Sequence, residues 1–340
     1  MIVRSKAPLR LGFAGGGTDV SPYSDIYGGA ILNSAISMYA YASIEPRDDN
    51  KIKFISIDRK KEIESISQKQ LAIDGELNLL KGVYNRIVKD FSLKPLSFNL
   101  TTYVDAPPGS GLGSSSTLVV AVLGAFVEWL KLPLGDYDIA NLAYEIERKD
   151  LKHKGGKQDH YASTFGGFNF MEFYENDKVI VNPLRIKSNV VNELQFNTIL
   201  YYTGISRLSS KIIESQIKNV KKKDDKPIEA MHKLKEQSIM MKEAILKGEL
   251  DKIGAILDFG WENKKKLSDK ISNPIIDKIY EVAKNNGATG GKISGAGGGG
   301  FMIFYCPGNT RYKVIEEIGK FGGEFRRFKF IKYGLETWSI

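Results

Sequence analysis

The stretch of this 340-residue chain best suited to holding an anion is Pro107-Pro-Gly-Ser-Gly-Leu-Gly-Ser-Ser-Ser116. A strand-like run leads into it and two prolines stop that run. Gly109, Gly111 and Gly113 then allow backbone torsions closed to other residues. Ser114, Ser115 and Ser116 fall where an apolar helix begins, and the unpaired N–H groups and positive end of a helix favour a phosphate. Between Pro108 and Ser116 the glycines, with Ser110 and Leu112 among them, let the backbone close on phosphate oxygens. Serine hydroxyls can donate to phosphate or ligate Mg²⁺. A flexible turn with a serine cap is the plain alternative, and alternating glycines ending in three serines speak against it. The pattern Gly-x4-Gly-Lys-Ser/Thr occurs nowhere. Asn286–Ile293 contains Lys292 but lacks the leading glycine and the terminal hydroxyl.

Two more glycine-rich loops stand at the ends of the chain. Gly295-Ala-Gly-Gly-Gly-Gly300 matches Gly-x-Gly-x-x-Gly to the letter. A dinucleotide loop needs a strand before it and a helix after it. Here the helical pattern comes first and the strand pattern starts at Phe301, so the dinucleotide reading fails. What remains is a turn in which one backbone approaches a ligand or another backbone. Leu11-Gly-Phe-Ala-Gly-Gly-Gly-Thr-Asp19 sets glycines before a carboxylate, and a tight turn and a sugar-binding role are both open.

Carboxylates recur in Glu145-Ile-Glu-Arg-Lys-Asp-Leu-Lys-His-Lys-Gly-Gly-Lys-Gln-Asp159. Glu147 with Arg148 could be a helix-surface ion pair, and Asp159 could be a helix N-cap. Catalytic or metal-binding roles are equally compatible with the residues alone. His153, Lys154, Lys157, Arg207 and Lys211 are cations that could meet an anionic end of a substrate, although each taken singly reads as a solvated side chain. His160 and His232 form no cluster with cysteine, which excludes zinc. Cys306 sits in an apolar strand and reads as packed.

These residues need elements to hold them. Ala30–Glu45 and Lys51–Ile57 read as strands and Glu76–Asp90 as a helix. Ser97–Val104 is the strand that delivers the chain into Pro107. Thr117–Leu130 is too long and too uniformly apolar for a strand, so it predicts a buried helix. Asp136–Lys152 predicts one amphipathic helix. Strands return at Gly167–Phe173, Val179–Val181 and Phe196–Tyr202. Helices follow over Ser209–Lys222, Ile228–Lys247, Leu250–Leu267 and Pro274–Asn286, with Gly287 as the C-terminal glycine. Phe301–Cys306, Thr310–Lys320 and Glu324–Ile331 read as strand, helix and strand. An α+β fold of two domains is expected, 1–185 and 186–340.

Composition narrows the class. At 42% apolar and 26% charged residues the chain is globular in type. One cysteine excludes an internal disulfide framework and suits a reducing compartment. No signal-like segment opens the chain, and the longest apolar run, Leu118–Val127, is half of what a membrane span needs. A cytoplasmic protein without membrane contact is expected. The net charge of +9 comes from 49 basic and 40 acidic residues. Its densest stretch, Lys218–Lys226, lacks interleaved aromatics and holds two aspartates, so a nucleic-acid partner is not expected.

Taken together, the three loops resemble the three motifs of the GHMP kinase superfamily. Pro107–Ser116 resembles its second, phosphate-binding motif and Lys292–Gly300 its third. Arg10 through Asp19 resembles its first, with the nine-residue step from arginine to aspartate seen in galactokinases. Within the superfamily, Ala7–Val20 followed by Pro22–Ala30 looks most like the bacterial D-glycero-D-manno-heptose 7-phosphate kinases. Gly16 and Gly17 stand where galactokinases carry Glu-His, which argues against galactose.

The resemblance implies an N-terminal domain of the ribosomal-protein-S5-like kind, with a left-handed βαβ crossover. The C-terminal domain would be ferredoxin-like with extra helices. It implies ATP and Mg²⁺ as cofactors, and a sugar phosphate receiving a phosphoryl group on its anomeric hydroxyl, for nucleotide-activated heptose and surface glycan. By the same likeness Asp159 would accept or orient the hydroxyl proton and Arg10 would neutralise developing charge. Ser115 and Glu147 would hold Mg²⁺. Gly16, Gly17, Thr18, Asp19, Gly295, Ala296, Gly297 and Gly298, with Lys157 and Arg207, would contact the sugar phosphate. A kinase for L-fucose or another sugar, and a silent sugar and ATP sensor, are the rival readings. The oligomeric state is open between monomer and homodimer.

Overall fold

A computed structural model describes residues 1–205, 209–222 and 224–340. Strand β1 (Val3–Ala14), short helix α1 (Tyr23–Tyr27) and the eighteen-residue strand β2 (Gly29–Pro46) open the chain. The hairpin β3 (Lys51–Ser56) and β4 (Lys61–Ile66) follows, then helix α2 (Asn78–Asp90) and β5 (Phe98–Val104). Helices α3 (Ser114–Leu130), α4 (Asp136–Tyr144) and α5 (Gln158–Phe165) precede the hairpin β6 (Phe168–Phe173) and β7 (Val179–Pro183). Next come α6 (Ser188–Asn197), β8 (Thr198–Tyr202), α7 (Ser209–Lys221), α8 (Asp225–Lys247), α9 (Ile253–Lys265) and α10 (Pro274–Asn285). The chain ends with β9 (Gly290–Ile293), β10 (Phe301–Tyr305), α11 (Arg311–Gly319), β11 (Glu324–Phe325) and β12 (Glu336–Ser339).

Among the described residues the strands form two sheets. The first has the order β12-β1-β2-β5-β3-β4, with β6 on the first part of β2 and β7 beyond it. The second has the order β11-β8-β10-β9. All pairs are antiparallel except β3 with β5, and α2 lies in the connection between those two. The fold is therefore α+β, as the sequence leads one to expect. The last strand, β12, lies in the first sheet, and the largest apolar cluster runs from Val3 through Leu200 and Ile256 to Tyr305.

Helix α3 positions the phosphate-type loop. Every residue from Ser116 to Phe126 is buried, which accounts for an apolar run without a polar stripe. It packs on β1 and β2 and meets α2, α4 and α5. Each buried Val, Leu or Phe there contributes about 1.5–3 kcal/mol. Its N-terminus is thus fixed by packing, while no side chain caps it. The first N–H groups of α3 stay available to a ligand.

Several boundaries differ from those read in the sequence. The helix expected over Asp136–Lys152 is α4 followed by a π-helical turn, Glu145–Asp150. An inserted residue rotates the side chains after it, and such turns recur at functional sites. The strand expected from Phe196 begins at Thr198, because Ser188–Asn197 is helix α6. The strand expected over Glu324–Ile331 pairs only at Glu324 and Phe325. After that, scattered links hold it, among them Arg326 N–H to Leu200 O, Ser37 N–H to Lys329 O and Ile331 N–H to Ala35 O, the last two flanking an isolated bridge from Phe330 to Ile36. Strands β4, β9 and β12 and helix α5 carry too short a pattern to be read ahead. No helix among the described residues is long and apolar enough to cross a membrane.

Candidate active site

Arg10 lies on β1 two residues after Pro8, which has no N–H for the ladder. The pairing with β2 shifts register between Pro8 and Arg10, and the Arg10 N–H donates instead to Leu112 O at 3.2 Å. The Arg10 side chain is 3% exposed. Its Nε donates to Asp159 Oδ1 at 2.7 Å and its Nη2 lies 2.6 Å from the same oxygen. Nη1 donates to Gly111 O at 2.6 Å. One guanidinium therefore ties β1 to the glycine loop and to α5. Asp159 sits in the first turn of α5, the helix end that favours a negative charge.

Glu147 comes from the π-helical turn and is almost wholly buried. Ser115 Oγ donates to Oε1 and Ser116 Oγ to Oε2, both at 2.6 Å. His160 Nε2 lies 2.8 Å from Oε2, and Arg148 Nη1 lies 3.0 Å from Oε1. Burial by itself would raise this carboxyl. The Arg148 charge, with hydrogen bonding from His153 and His160, outweighs it and holds Glu147 well below the usual carboxylate range. The carboxylate is thus charged and pinned against the serines that begin α3.

Asp19 follows the Gly15–Gly17 turn and is also buried. The Gln158 N–H donates to its Oδ2 at 3.0 Å. A Cβ on Gly156 would stand 1.9 Å from that same oxygen, so only glycine fits there. Burial, then the neighbouring Asp159, raises the Asp19 carboxyl above its ordinary value despite the Gln158 N–H. Lys264 from α9 donates to Gly16 O at 3.0 Å, and Lys292 from β9 donates to Gly12 O at 3.0 Å. Burial pulls the Lys264 ammonium down to about 8, against the pull of Asp19. Burial and the charges of Lys264 and Arg10 push Lys292 well below the usual range.

The third glycine loop closes on the second. A Cβ on Gly111 would lie 2.3 Å from Ser294 O, and one on Gly295 would lie 2.8 Å from the Gly111 Cα. The Phe301 N–H donates to Ser110 O at 2.8 Å. The glycine density thus serves the close approach of two backbones beside the cavity.

These groups surround one cavity of about 520 Å³. It brings together Arg10, Asp159, Glu147 and Asp19. Gly17 joins them, as do Gly109, Gly111, Gly113 and Ser114 to Ser116, with Gly295 and Ala296. His153 and Lys154 line it too. Other expected site residues lie elsewhere. Leu112 is in the apolar core, and Ser110 is buried with a hydroxyl that has no partner among the described residues. Pro108 is exposed, outside the lining. Gly16 offers its carbonyl to Lys264, and the Thr18 hydroxyl donates to Gly15 O at 2.8 Å, bracing the turn. Gly297 and Gly298 meet Ile271, with Gly298 N–H donating to Ile271 O at 2.7 Å. Lys157 is buried with its ammonium 3.1 Å from Asp177 and 3.6 Å from Asp25, away from the cavity. Arg207 lies outside the described residues, and Lys211 is exposed on α7.

Sequence reasoning missed Gln158, Gln216 and Lys264, which line the cavity, and His160 behind Glu147. Gln216 and Lys264 sit in ordinary amphipathic helices and carry no local signal. His160 follows Asp159 directly, and its spacing from Glu147 becomes meaningful only once the fold brings α5 against the π-helical turn.

Family models for the GHMP kinases N-terminal domain and the GHMP kinases C-terminal domain match residues 78–167 and 241–324. A D-glycero-alpha-D-manno-heptose 7-phosphate kinase of Campylobacter jejuni is 51% identical over 338 residues, 99% of each chain. The crystal structure of a D-glycero-D-manno-heptose 1-phosphate kinase from Bacteroides thetaiotaomicron superposes with a TM-score of 0.86 at 49% identity, covering 99% of each chain. Lactococcus lactis galactokinase, solved with galactose, has a TM-score of 0.79 over 98% of this chain and 95% of its own. At 18% identity that likeness speaks for the fold alone.

Proposed function

This chain belongs to the GHMP kinase family, and on that premise we propose that it transfers the γ-phosphoryl group of ATP to the anomeric hydroxyl of D-glycero-D-manno-heptose 7-phosphate. The products are the 1,7-bisphosphate and ADP, formed in the cytoplasm. One observation carries the reading: buried Arg10 pairs with half-buried Asp159 directly beside the uncapped start of α3. Phosphoryl transfer asks for positioning and for neutralised charge more than for covalent chemistry. The N–H groups of Ser114–Ser116 and the guanidinium of Arg10 supply that charge. Asp159 accepts the proton as the sugar oxygen attacks phosphorus and the bond to the ADP oxygen breaks. A recess of about 170 Å³ shares Ser115 and His153 with the cavity and is lined by Leu77, Leu80, Leu118 and Arg59, a surface suited to the nucleotide base.

The donor set also fits Mg²⁺. Ser115 Oγ and the Glu147 carboxylate are hard oxygen ligands that share one edge of the cavity. Mg²⁺ characteristically takes one or two such protein ligands, with phosphate oxygens and water completing its shell. Bound there it would supply positive charge to the phosphates. Ser116, His160 and Arg148 hold the carboxylate in place.

The names of the two similar heptose kinases put the phosphate on different carbons. The 7-phosphate is preferred because it leaves the anomeric hydroxyl free and belongs to the relative matched at 51% identity. The test is ADP release from ATP with a panel: heptose 7-phosphate, heptose 1-phosphate, L-fucose, galactose and mannose. Phosphorus NMR of the product then locates the new ester. Strong turnover of a free hexose with none of heptose 7-phosphate would overturn the proposal.

A further inference from the structure

Three polar residues line the cavity and carry hydrogen-bonding groups that the described residues leave unused. Lys264 is 2% exposed. Among the described residues its ammonium donates only to Gly16 O, which leaves two of its three N–H groups unspent. Gln216 of α7 is 3% exposed, and its Nε2 is buried without a partner among the described residues. Gln158 Oε1 is likewise buried without a partner among them. All three gather at the Gly12–Asp19 turn. A Cβ on Gly16 would lie 3.5 Å from Lys264 Nζ, and one on Gly17 would lie 3.5 Å from Gln216 Oε1. A Cβ on Gly12 would lie 3.7 Å from Gln158 Oε1. Leaving buried donors and acceptors unpaired is costly, so clustering them at one wall of one cavity is the arrangement of a site whose partners arrive with a ligand.

We propose that Lys264 and Gln216, together with Asp19, read the hydroxyls of the sugar acceptor and so determine which sugar is phosphorylated. A hydroxyl both donates and accepts. Asp19 can only accept and the Lys264 ammonium can only donate, so between them they suit adjacent hydroxyls. Gln216 Nε2 adds a neutral donor to the same wall. A phosphate is the wrong occupant here, because the buried Asp19 carboxylate would repel a dianion. The anion sites lie instead along Ser114–Ser116 and Arg10. This assignment rests on the sugar-kinase reading above and adds Lys264 and Gln216, which lie outside the three glycine loops, to the residues that set its acceptor specificity.

Lys264→Met and Gln216→Leu keep the apolar volume and remove the polar head. Each should raise KM for the acceptor about tenfold or more, the scale of losing one hydrogen bond to a ligand. KM for ATP should stay within about twofold in both, since adenine and phosphates bind elsewhere. Acceptor-induced stabilisation in thermal melting should be lost while the melting point without ligand is kept. An unchanged acceptor KM in the variants, or a KM for ATP rising in step, overturns the assignment. If Lys264→Met does not fold, Gln216→Leu decides alone by the same criteria. Wild-type turnover of another sugar in place of heptose 7-phosphate refutes the acceptor named above and not this wall, because the variants are then scored on that sugar. Absence of binding of every panel sugar to the wild type, measured by calorimetry, refutes both.

Discussion

Replacing Asp159 by asparagine separates its charge and basicity from its shape. In the wild type a single oxygen, Oδ1, receives both Arg10 Nε at 2.7 Å and Arg10 Nη2 at 2.6 Å. Asparagine keeps an oxygen at that place, so Arg10 stays anchored there and on Gly111 O at 2.6 Å. What goes is the group that can take a proton from the sugar hydroxyl. A positioned proton acceptor is worth about 10²–10⁴ in rate. At about 1.36 kcal/mol per decade that is a barrier increase of about 3–5 kcal/mol. Turnover at saturating ATP and sugar phosphate, followed by coupled ADP detection, should therefore fall at least about 10²-fold while the melting temperature holds. Asp159→Ala should lose activity similarly and also stability. It leaves donors of the buried Arg10 unsatisfied, a penalty of about 1–3 kcal/mol. Near-normal turnover of a folded Asp159→Asn enzyme would refute the proton-acceptor role and reduce Asp159 to an orienting partner of Arg10.

Glu147→Gln turns one acceptor oxygen into a donor where serine hydroxyls, Arg148 and His160 all point at the carboxylate. It should raise the Mg²⁺ concentration for half-maximal activity at least about tenfold, since even groups that only align a metal ligand carry about 10–100-fold effects and Glu147 is assigned as a ligand itself; EDTA should abolish wild-type turnover. Because the folded state holds the Glu147 carboxyl below its unfolded value, its stabilisation is complete above the ordinary carboxylate range and fades as pH falls below it. Acid unfolding monitored by fluorescence should accordingly be less steep in Glu147→Gln. Gly156→Ala places a methyl 1.9 Å from where Asp19 Oδ2 now sits, so Asp19 must leave its Gln158 bond. The acceptor KM should rise with KM for ATP little changed, and unaltered acceptor KM would count against a role for Asp19. With the Lys264 ammonium at about 8, its charge is present below that pH and lost above it. The acceptor KM should climb from pH 8 to 9, and that limb should vanish in Lys264→Met.

The phosphate-binding half of the site is legible in the sequence because it is built from backbone. Backbone that must crowd other backbone, as Gly111 and Gly295 do, can only be glycine, and such constraints leave runs a reader can count. The buried helix α3 is legible for a similar reason, since burial on all sides demands an unbroken apolar stretch. The π-helical turn at Glu145–Asp150 is different. Its sequence reads as the continuation of an amphipathic helix, and only packing reveals the extra residue that sends Glu147 to the serines. Lys157 misled for the converse reason. A lysine two residues from Asp159 suggests an anion contact, but the turn between them directs its ammonium to Asp177 and Asp25.

The selective half of the site is built from side chains on helical faces, and this explains its silence. Ser210, Ile213, Glu214 and Gln216 of α7 face the cavity, and three of them follow the spacing of any amphipathic helix. Lys264 lies at the end of α9, where a basic residue is expected for the helix dipole alone. No backbone crowding dictates a glutamine or a lysine there, whereas Gly111, Gly156 and Gly295 cannot change without displacing a neighbour. The constrained parts can therefore stay fixed in a kinase while the acceptor varies. If Gln216 and Lys264 do the selecting, acceptor preference can be altered by substitutions at α7 and α9 that leave Arg10, Asp159 and the α3 N-terminus untouched, and kcat should survive where KM does not.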